Sequence, residues 1–161
     1  NDKPKFFYLS SGGTVYGRSP GLVDELSNTT PESLHGKQKI GCEIFVKEEF
    51  QEYFHSIFIL RIANAYTLHA SRNFQGLIEA LVHSSIFGKD VTISVSPDSK
   101  RQYGRHIDYA RFILDSLLDL DIGSQAIQTF NVANTEVLSI REIIKIFNDV
   151  FPFFHFIRFP Q

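Results

Sequence analysis

The residues best suited to chemistry stand where an apolar run stops and on the segment that follows it. The run ends in Ser-Ser-Gly-Gly, residues 10–13, which combines hydroxyl groups with positions that let a backbone approach closely. Further on, His35 and Lys39 are four residues apart, so one helical turn would bring both side chains to one face. A histidine can act as a general base, and an adjacent lysine disfavours its charged form. The spacing raises the question of what ligand these groups would bind, since hydroxyl, imidazole and ammonium groups are all suited to polar contacts.

The elements that must position these residues form a βαβ unit. Residues 6–10 and 57–62 are short apolar runs with the length of buried strands, and the second strand is expected to end in Asn64. Between them, Pro-Glu-Ser at 31–33 opens a helical pattern that reaches about residue 54. The order strand, helix, strand predicts parallel strands joined by a right-handed crossover. In open sheets of parallel strands, ligands bind beyond the carboxyl ends of the strands.

The rest of the chain continues the alternation of helices and strands less regularly. Helices are predicted at 75–87 with Gly88 as C-cap, from Asp108 as N-cap to about Gly123, and from a capping box of Ser139 and Glu142 to Val150. Strands are predicted at 91–95, 129–132 and 153–159, with a polar loop at 96–104. The sequence therefore predicts an α/β fold.

Composition and charge exclude several classes of function. A net charge of −2 without a basic run argues against binding to a phosphate backbone. Cys42 is the only cysteine, which excludes an internal disulfide and indicates a reducing compartment. No apolar stretch approaches the roughly 20 residues that span a membrane, and residues 1–5 lead directly into a strand rather than a signal peptide. These features predict a cytoplasmic protein.

Three other site patterns are rejected. Residues 12–19 approximate a phosphate-binding loop, but Arg18 replaces the lysine and a Pro-Gly pair follows where a helix should begin. The histidines are scattered without metal-ligand spacing, so no metal site is predicted. A G-x-S-x-G nucleophile elbow is absent from the sequence.

Five stretches, taken in order, resemble the extended short-chain dehydrogenases/reductases, the family of NAD-dependent sugar epimerases and dehydratases. The first is LSSGGTVYG at 9–17, and the second is PESLHGKQK at 31–39 with Glu43 four residues on. The others are LRIANAY at 60–66, RQYGRHIDYA at 101–110, and FNVAN at 130–134 followed by SIRE at 139–142. Each motif alone is weak, but their order and spacing hold over almost the whole chain. The first stretch is similar to that of UDP-sugar 4-epimerases.

The resemblance implies the second half of a doubly wound, Rossmann-like parallel sheet plus a small substrate-binding lobe. Residues 1–66 would be the C-terminal part of the NAD-binding domain, and residues 67–161 mostly the lobe. NAD is the implied cofactor, and a nucleotide sugar, a UDP-sugar, is the implied substrate, in the synthesis of activated sugars or surface polysaccharide. Neither nucleic acid nor a membrane is expected as a partner, and a homodimer stays open.

The resemblance also assigns roles to single residues, carried over position by position. The catalytic positions are Lys39, His35, Ser11 and Thr14, the cofactor-binding positions are Ser10, Ser11 and Lys39, and the substrate-binding positions are Asn64 and Arg101. Lys39 would orient the ribose of the cofactor, and the guanidinium fork of Arg101 suits a diphosphate.

Two departures from the family leave catalysis open. The family carries tyrosine where this chain has His35, and its usual serine or threonine falls on Gly12. In the family the lysine lowers the pKa of that tyrosine, normally about 10, so that the phenolate accepts a proton. The protein is therefore predicted to be either a modified epimerase, dehydratase or reductase, or a non-catalytic relative that binds a nucleotide sugar or a protein partner.

A further departure concerns the cofactor. The family begins with a G-x-x-G-x-x-G turn that binds the dinucleotide pyrophosphate at a helix N-terminus, and this sequence contains none. Family members are also considerably longer, so the chain is expected to be either a fragment of a longer protein or the product of a degenerate reading frame. NAD is accordingly expected to bind the longer parent and not these residues alone, and a bare strand edge is expected to promote self-association.

Overall fold

The computed structural model describes residues 3–19, 21–67, 76–151 and 157–159, in two compact units. Unit 1 comprises Asn1–Asn64 and Ile107–Ala133, and unit 2 comprises Ala65–His106 and Asn134–Gln161. The sequence predicts a single boundary at residue 66, whereas the chain returns to unit 1 because a later strand, Ala126–Val132, pairs with the first sheet. The assignment of residues 67–161 to substrate binding stays a prediction.

The helices and strands follow the chain in a fixed order. They are β1 (Lys5–Ser11), α1 (Gly12–Val15), α2 (Leu34–Glu49), β2 (Ser56–Ile62), β3 (Asn64–Tyr66), α3 (Leu77–Phe87), β4 (Val91–Thr92), β5 (Lys100–Arg105), α4 (His106–Phe112) with a π-helical continuation (Ile113–Leu117), β6 (Ala126–Val132), β7 (Val137–Ser139), α5 (Ile140–Val150) and β8 (Ile157–Arg158).

Unit 1 is built on a parallel sheet in the order β1, β2, β6. The predicted βαβ unit is confirmed, since β1 and β2 are parallel neighbours with α2 between them in the chain. Side chains of β2 alternate between the two faces: Ile57 and Ile59 pack towards α2, and Phe58 and Leu60 pack towards α4 and its continuation. All four side chains are buried, and each contributes roughly 1.5–3 kcal/mol to stability.

Helix α2 begins where the sequence predicts and ends earlier. Ser33 is the N-cap, and its Oγ accepts a hydrogen bond from the Gly36 backbone N–H. The predicted end near residue 54 is wrong, because the helix stops at Glu49 and the chain then turns. The turn places the rings of Phe50 and Phe54 against Phe6, with centroid distances of 4.9 and 4.8 Å. Aromatic packing onto β1 thus replaces the last turn of the expected helix.

Unit 2 contains two small sheets and the helices α3 and α5. One sheet has the order β3, β5, β7, with β5 and β7 antiparallel, and β4 pairs with β8 in parallel. Two predicted helix ends are confirmed: Gly88 closes α3 with φ of 64°, and Ser139 with Glu142 forms the capping box of α5. A small core of Val91, Ile93 and Ile140 lies beneath them.

Other predictions for the second half of the chain differ from the structure. The polar loop at 96–104 is wrong, because β5 occupies most of it; its side chains are mostly exposed or half-buried, so it shows no apolar alternation. Helix α4 begins at His106, which puts Asp108 in the first turn, and the π-helical turn ends at Leu117 rather than near residue 123. Strand 91–95 is reduced to β4. Residue 75 and most of strand 153–159 lie outside the described residues.

Candidate functional site

A row of three polar side chains crosses the sheet of unit 1 at the carboxyl ends of its strands. Ser10, Arg61 and Asn131 are in register on neighbouring strands, on the face that α2 covers. Two rows earlier on the same face, the register positions hold Phe6, Ile57 and Ile127, which are apolar. The face covered by α2 therefore becomes polar towards the edge at which ligands bind in sheets of this type.

Helix α2 contributes a carboxylate to this row. Glu43 accepts from Arg61 through two oxygens, with Nε–Oε1 at 3.1 Å and Nη2–Oε2 at 2.8 Å. Ser10 Oγ donates to the same Oε1 at 2.5 Å. The side chains of Arg61 and Glu43 are 6% and 2% exposed, so the pair is buried and bidentate. The geometry satisfies a charge pair that would be very costly to bury alone.

Tyr16, at the C-cap of α1, links two members of the row, Arg61 and Asn131, through its hydroxyl. Arg61 Nη1 donates to the Tyr16 hydroxyl at 2.8 Å, and that hydroxyl donates to Asn131 Oδ1 at 2.7 Å. The guanidinium carbon also lies 5.0 Å from the centre of the Tyr16 ring. Burial alone lowers the pKa of Arg61, but the bonds to Glu43 and Tyr16 and the Glu43 charge outweigh it and raise that pKa. The guanidinium stays charged at any physiological pH.

Lys39 lies one helical turn before Glu43, with its ammonium at the end of β1. Its Nζ donates to the Leu9 carbonyl at 2.7 Å, next to Ser10 in the chain. The ammonium is also 5.2 Å from the centre of the Tyr8 ring. The expectation that Lys39 reaches the carboxyl end of the first strand is confirmed by this contact, while its role towards a cofactor stays a prediction.

Tyr8 is the tyrosine that the Lys39 ammonium overlies, and its hydroxyl is held in the neutral form. Burial is the largest cause of its raised pKa, followed by a hydrogen bond with the Cys42 thiol and by the charges of Cys42 and Glu43. A neutral phenol cannot accept a proton, so Tyr8 does not take over the task of the tyrosine that position 35 lacks.

The other residues predicted to be catalytic, His35, Ser11 and Thr14, differ in their exposure and in their hydrogen bonding. His35 is exposed on α2. Ser11 is half-buried as the N-cap of α1 and makes no capping hydrogen bond with its side chain. Thr14 is half-buried, and its Oγ1 is fully enclosed without a hydrogen-bond partner among the described residues. Thr14 therefore has an unmet hydrogen-bonding capacity at the strand end.

The glycine pair explains how closely α1 approaches β2. A Cβ built on Gly12 would lie 2.9 Å from the Arg61 carbonyl oxygen, closer than real Cβ contacts. A Cβ on Gly13 would lie 3.7 Å from Asn64 Oδ1, an ordinary contact. Asn64 begins β3, whereas the sequence predicts that it ends the second strand. Its side-chain amide lies beside Gly13 of α1. The structure thus brings Asn64 to the end of β1.

Arg101 belongs to unit 2, as the second residue of β5. Its side chain is exposed, and Nη1 donates to the Lys100 carbonyl at 2.9 Å. Two positions on, burial raises the pKa of Tyr103, an effect that the Arg101 charge partly offsets. The predicted phosphate-binding role of Arg101 stays a prediction.

Sequence reasoning missed the residues that hold the site together. Glu43, Arg61, Tyr16 and Asn131 occur in the quoted motifs but receive no role there. The signal was present, since all four are polar or aromatic residues within or just after the quoted motifs. Among the described residues no helix is long and apolar enough to cross a membrane, and none of their His, Cys, Asp or Glu side chains group to hold a metal ion.

Comparisons with known proteins agree with this arrangement. A family model described as the NAD dependent epimerase/dehydratase family matches residues 1–133. The dTDP-4-dehydro-6-deoxyglucose reductase of Escherichia coli is 29% identical over 149 residues, which cover 90% of this chain and 45% of the reductase.

Solved structures show the same fold at lower identity. MoeE5 in complex with UDP-glucuronic acid and NAD superposes with a TM-score of 0.85 at 19% identity, over 98% of this chain and 52% of MoeE5. The UDP-glucose 4-epimerase of Thermotoga maritima with UDP-glucose gives a TM-score of 0.79 at 21% identity, over 98% of this chain and 51% of the epimerase. The fold is the second half of a Rossmann-like sheet with its associated segments, as the sequence predicts.

Proposed function

The chain belongs to the NAD dependent epimerase/dehydratase family, and from this we propose that the protein remodels the sugar of a nucleotide sugar by hydride transfer to and from NAD. The chain spans about half the length of the relatives it matches, so the activity of the whole protein is proposed rather than established. A UDP-sugar is the proposed substrate, because similar structures hold UDP-glucuronic acid and UDP-glucose. Activated-sugar or surface-polysaccharide synthesis in the cytoplasm is the proposed setting.

The observation that carries the proposal is the position of the Lys39 ammonium at the carboxyl end of β1. There it donates to the Leu9 carbonyl, and Ser11 ends the same strand. The amide of Asn64 lies beside Gly13, immediately after β1. A cation, a hydroxyl and an amide at the end of a parallel strand are suited to bind a polar ligand beyond the sheet.

The residues present fit one end of NAD. When bound, NAD supplies a hydride acceptor and donor. Lys39 and Ser11 would hold its nicotinamide ribose, since the Ser11 hydroxyl makes no capping bond, and Thr14 Oγ1 has an unmet hydrogen bond nearby in the chain. Ser10 already donates to Glu43, so a contact from Ser10 to the cofactor would replace that bond.

His35 lies one helical turn before Lys39, and we assign its imidazole the role of the general base that accepts and returns a proton during hydride transfer. It is exposed, so a ring nitrogen can accept a proton from a sugar hydroxyl and return it. Lys39, on the same helical face, would orient the ligand rather than carry the proton.

A second candidate function is binding without turnover. It is favoured by Gly12, where a Cβ would meet the Arg61 carbonyl at 2.9 Å, so the hydroxyl that the family places there has no room without a shift of backbone. In this case His35 would contact the ligand without moving a proton.

The two candidates separate in an NAD-linked assay on the protein in its natural length, comparing the parent with H35Y. Turnover in the parent supports a modified enzyme that uses His35. Turnover that appears only in H35Y supports binding without turnover. Lys39→Ala should weaken NAD binding, whereas Lys37→Ala, on the exposed side of the same helix, should leave it unchanged. Equal NAD affinity in both lysine variants would contradict the proposed cofactor site.

Arg101 is proposed to bind the diphosphate of the substrate. Its exposed guanidinium suits bidentate phosphate recognition, and Lys100 beside it offers a matched cation without the fork. R101A should weaken binding of UDP by roughly tenfold or more, and K100A should change it less. Calorimetric titration with UDP measures both, and equal effects would argue against a specific role for Arg101.

Residues 1–161 by themselves are proposed not to bind NAD measurably, because the sequence lacks the pyrophosphate turn and offers contacts to one end only. Calorimetry of this chain with NAD⁺ tests the statement, and micromolar affinity would show that the cofactor is placed wrongly.

Self-association through β1 is proposed as well, since β1 has one strand neighbour among the described residues. Its test is the sedimentation of the chain at increasing concentration.

A further inference from the structure

Helix α2 carries Lys39 and His35, yet its apolar residues do not define which face turns to the sheet. Its buried residues are Gly36, Glu43 and Val46, only one of which is a large apolar side chain. In contrast, Ile44 and Phe45 are 50% and 56% exposed. A helix normally takes its rotation from an apolar stripe that faces the core. In α2 that stripe is too weak to set the rotation, so another contact must do so.

Two contacts supply the missing constraint. Near its start, α2 approaches α1 so closely that a Cβ on Gly36 would lie 2.6 Å from the Thr14 carbonyl oxygen. Two turns further on, Glu43 is fixed by Arg61 of β2 and by Ser10 of β1, and it is the most deeply buried charged side chain of the helix. Gly36 sets the distance of the helix from α1, and the carboxylate sets its rotation over the two strands.

We propose that Glu43 and Arg61 are positioning residues, a buried ion pair that fixes the rotation of α2 and thereby holds the Lys39 ammonium at the end of β1. This inference rests on the proposed function, in which the position of the Lys39 ammonium matters for binding the cofactor. Lys39 and Glu43 are one turn apart on the same face, so a rotation of α2 moves both together. Specifying one arrangement among several is the best-attested use of a buried polar group.

The test must separate positioning from stability. Breaking one partner leaves a buried charge, which lowers stability whatever the pair is for. S10A/E43L/R61M removes the pair and its hydroxyl donor together, so no charge or donor of the pair remains unmet. Such apolar replacement of a buried ion pair is often neutral for stability. We expect a melting temperature close to that of the parent and a loss of the contact between Lys39 and Tyr8.

The contact between Lys39 and the Tyr8 ring is the readout, because it depends on the rotation of α2 and not on any ligand. Nuclear Overhauser effects and ring-current shifts of the Lys39 methylenes report it, and Y8L identifies the signals that arise from the ring. A folded triple variant that keeps these signals would overturn the proposal. Asp98→Asn, which removes an exposed partner of Arg141, should leave them unchanged and serves as the control.

R61K covers the case in which the triple variant does not fold. It keeps a buried positive charge beside Glu43 but lacks the fork that uses both carboxylate oxygens and reaches Tyr16. We expect a folded protein with weakened Lys39–Tyr8 signals, and unchanged signals would overturn the proposal. Loss of folding in both variants would overturn it too, because the pair would then be required for the fold itself. None of these signals involves NAD, so failure of the proposed function leaves this test intact.

Discussion

Two arginine–carboxylate pairs, one chosen from each unit, share their chemistry and differ in burial and geometry. In unit 1, Arg61 binds both oxygens of Glu43, and the two side chains are 6% and 2% exposed. In unit 2, Arg141 directs Nε and Nη2 to one oxygen of Asp98, at 3.2 and 3.1 Å, and the side chains are 67% and 77% exposed. The first pair joins a helix to a strand, and the second joins α5 to a loop.

The difference in burial between the two pairs shows where polar interactions determine how elements of this molecule are aligned. Water screens the exposed pair and replaces its bonds at little cost, so its removal changes little. The buried pair has no such substitute, so its removal leaves a charge in an apolar environment. Unit 1 therefore uses a buried polar row to align α2 with its sheet, whereas unit 2 holds an apolar recess of about 570 Å³ that residues of α3 and α5 help to line.

The largest expected effect comes from isosteric removal of one charge in each pair. Glu43→Gln should lower the free energy of unfolding by about 3–5 kcal/mol, because Arg61 stays buried without its counter-charge. Asp98→Asn should change it by about 0–1 kcal/mol. Urea unfolding of the two variants measures both values. Similar losses in the two variants would remove the contrast between the units.

A smaller effect is expected where α1 meets β2. Gly12→Ser should cost about 1–3 kcal/mol, since its Cβ would lie 2.9 Å from a backbone oxygen of Arg61 and backbone must move. Gly13→Ser is the matched control, because its Cβ meets only the Asn64 side chain at 3.7 Å, and we expect a change within about 0.5 kcal/mol. The comparison is made by thermal unfolding, and equal effects would mean that α1 is not held against β2.

Next come the two serine N-caps, one in each unit. Ser139→Ala should cost about 1 kcal/mol, because its hydroxyl accepts from the Glu142 N–H and also donates to the Glu142 carboxylate. Ser33→Ala should cost less, since Ser33 only accepts from the Gly36 N–H, without a returning side chain. Circular dichroism during thermal unfolding orders the two, and a larger loss for Ser33 would contradict the stronger effect expected of the capping box.

The smallest expected effect is the pH dependence of the capping box. Hydrogen bonds from Ser139 lower the pKa of Glu142 below its ordinary value of 4.5. A carboxyl with a lowered folded-state pKa stabilises the fold fully above its unfolded value and loses that contribution as pH falls through the folded value. Melting temperatures of the parent and Glu142→Gln should therefore differ at neutral pH and converge in acid. A difference that persists in acid would contradict the charged form of the cap.

Much of unit 1 could be predicted from the sequence. The runs at 6–10 and 57–62 are long enough and apolar enough to specify buried strands, and they fall within β1 and β2. Strand β5 could not be predicted, because its sequence KRQYGR is polar and its strand conformation comes from pairing with β3 and β7. Helix α1 was missed for a related reason, since two of its four residues are glycine, and the close approach to β2 that explains Gly12 is visible only in the structure.

The candidate site, too, could be predicted from the sequence only in part. The spacing of His35 and Lys39 predicted a shared helical face, and the contact between Lys39 and Leu9 agrees with the predicted location. The spacing could not show that Glu43, on that face as well, would turn inward to Arg61. Nor could it show that the Ser10 hydroxyl would be engaged by Glu43. Those outcomes depend on the rotation of α2, which its weak apolar stripe leaves undetermined.

The sequence by itself determined the continuous apolar run of β2, the cap at Ser33, the capping box at Ser139 and the family motifs, because all of these arise between residues close in the chain. Only the tertiary structure decided which polar groups meet. Ser10 and Glu43 are 33 residues apart, and Tyr16 and Asn131 are 115 apart. Hydrogen bonds need their atoms within a few tenths of an ångström of an ideal distance. Strand register and helix rotation set such distances, and both are properties of the packed sheet rather than of any local segment.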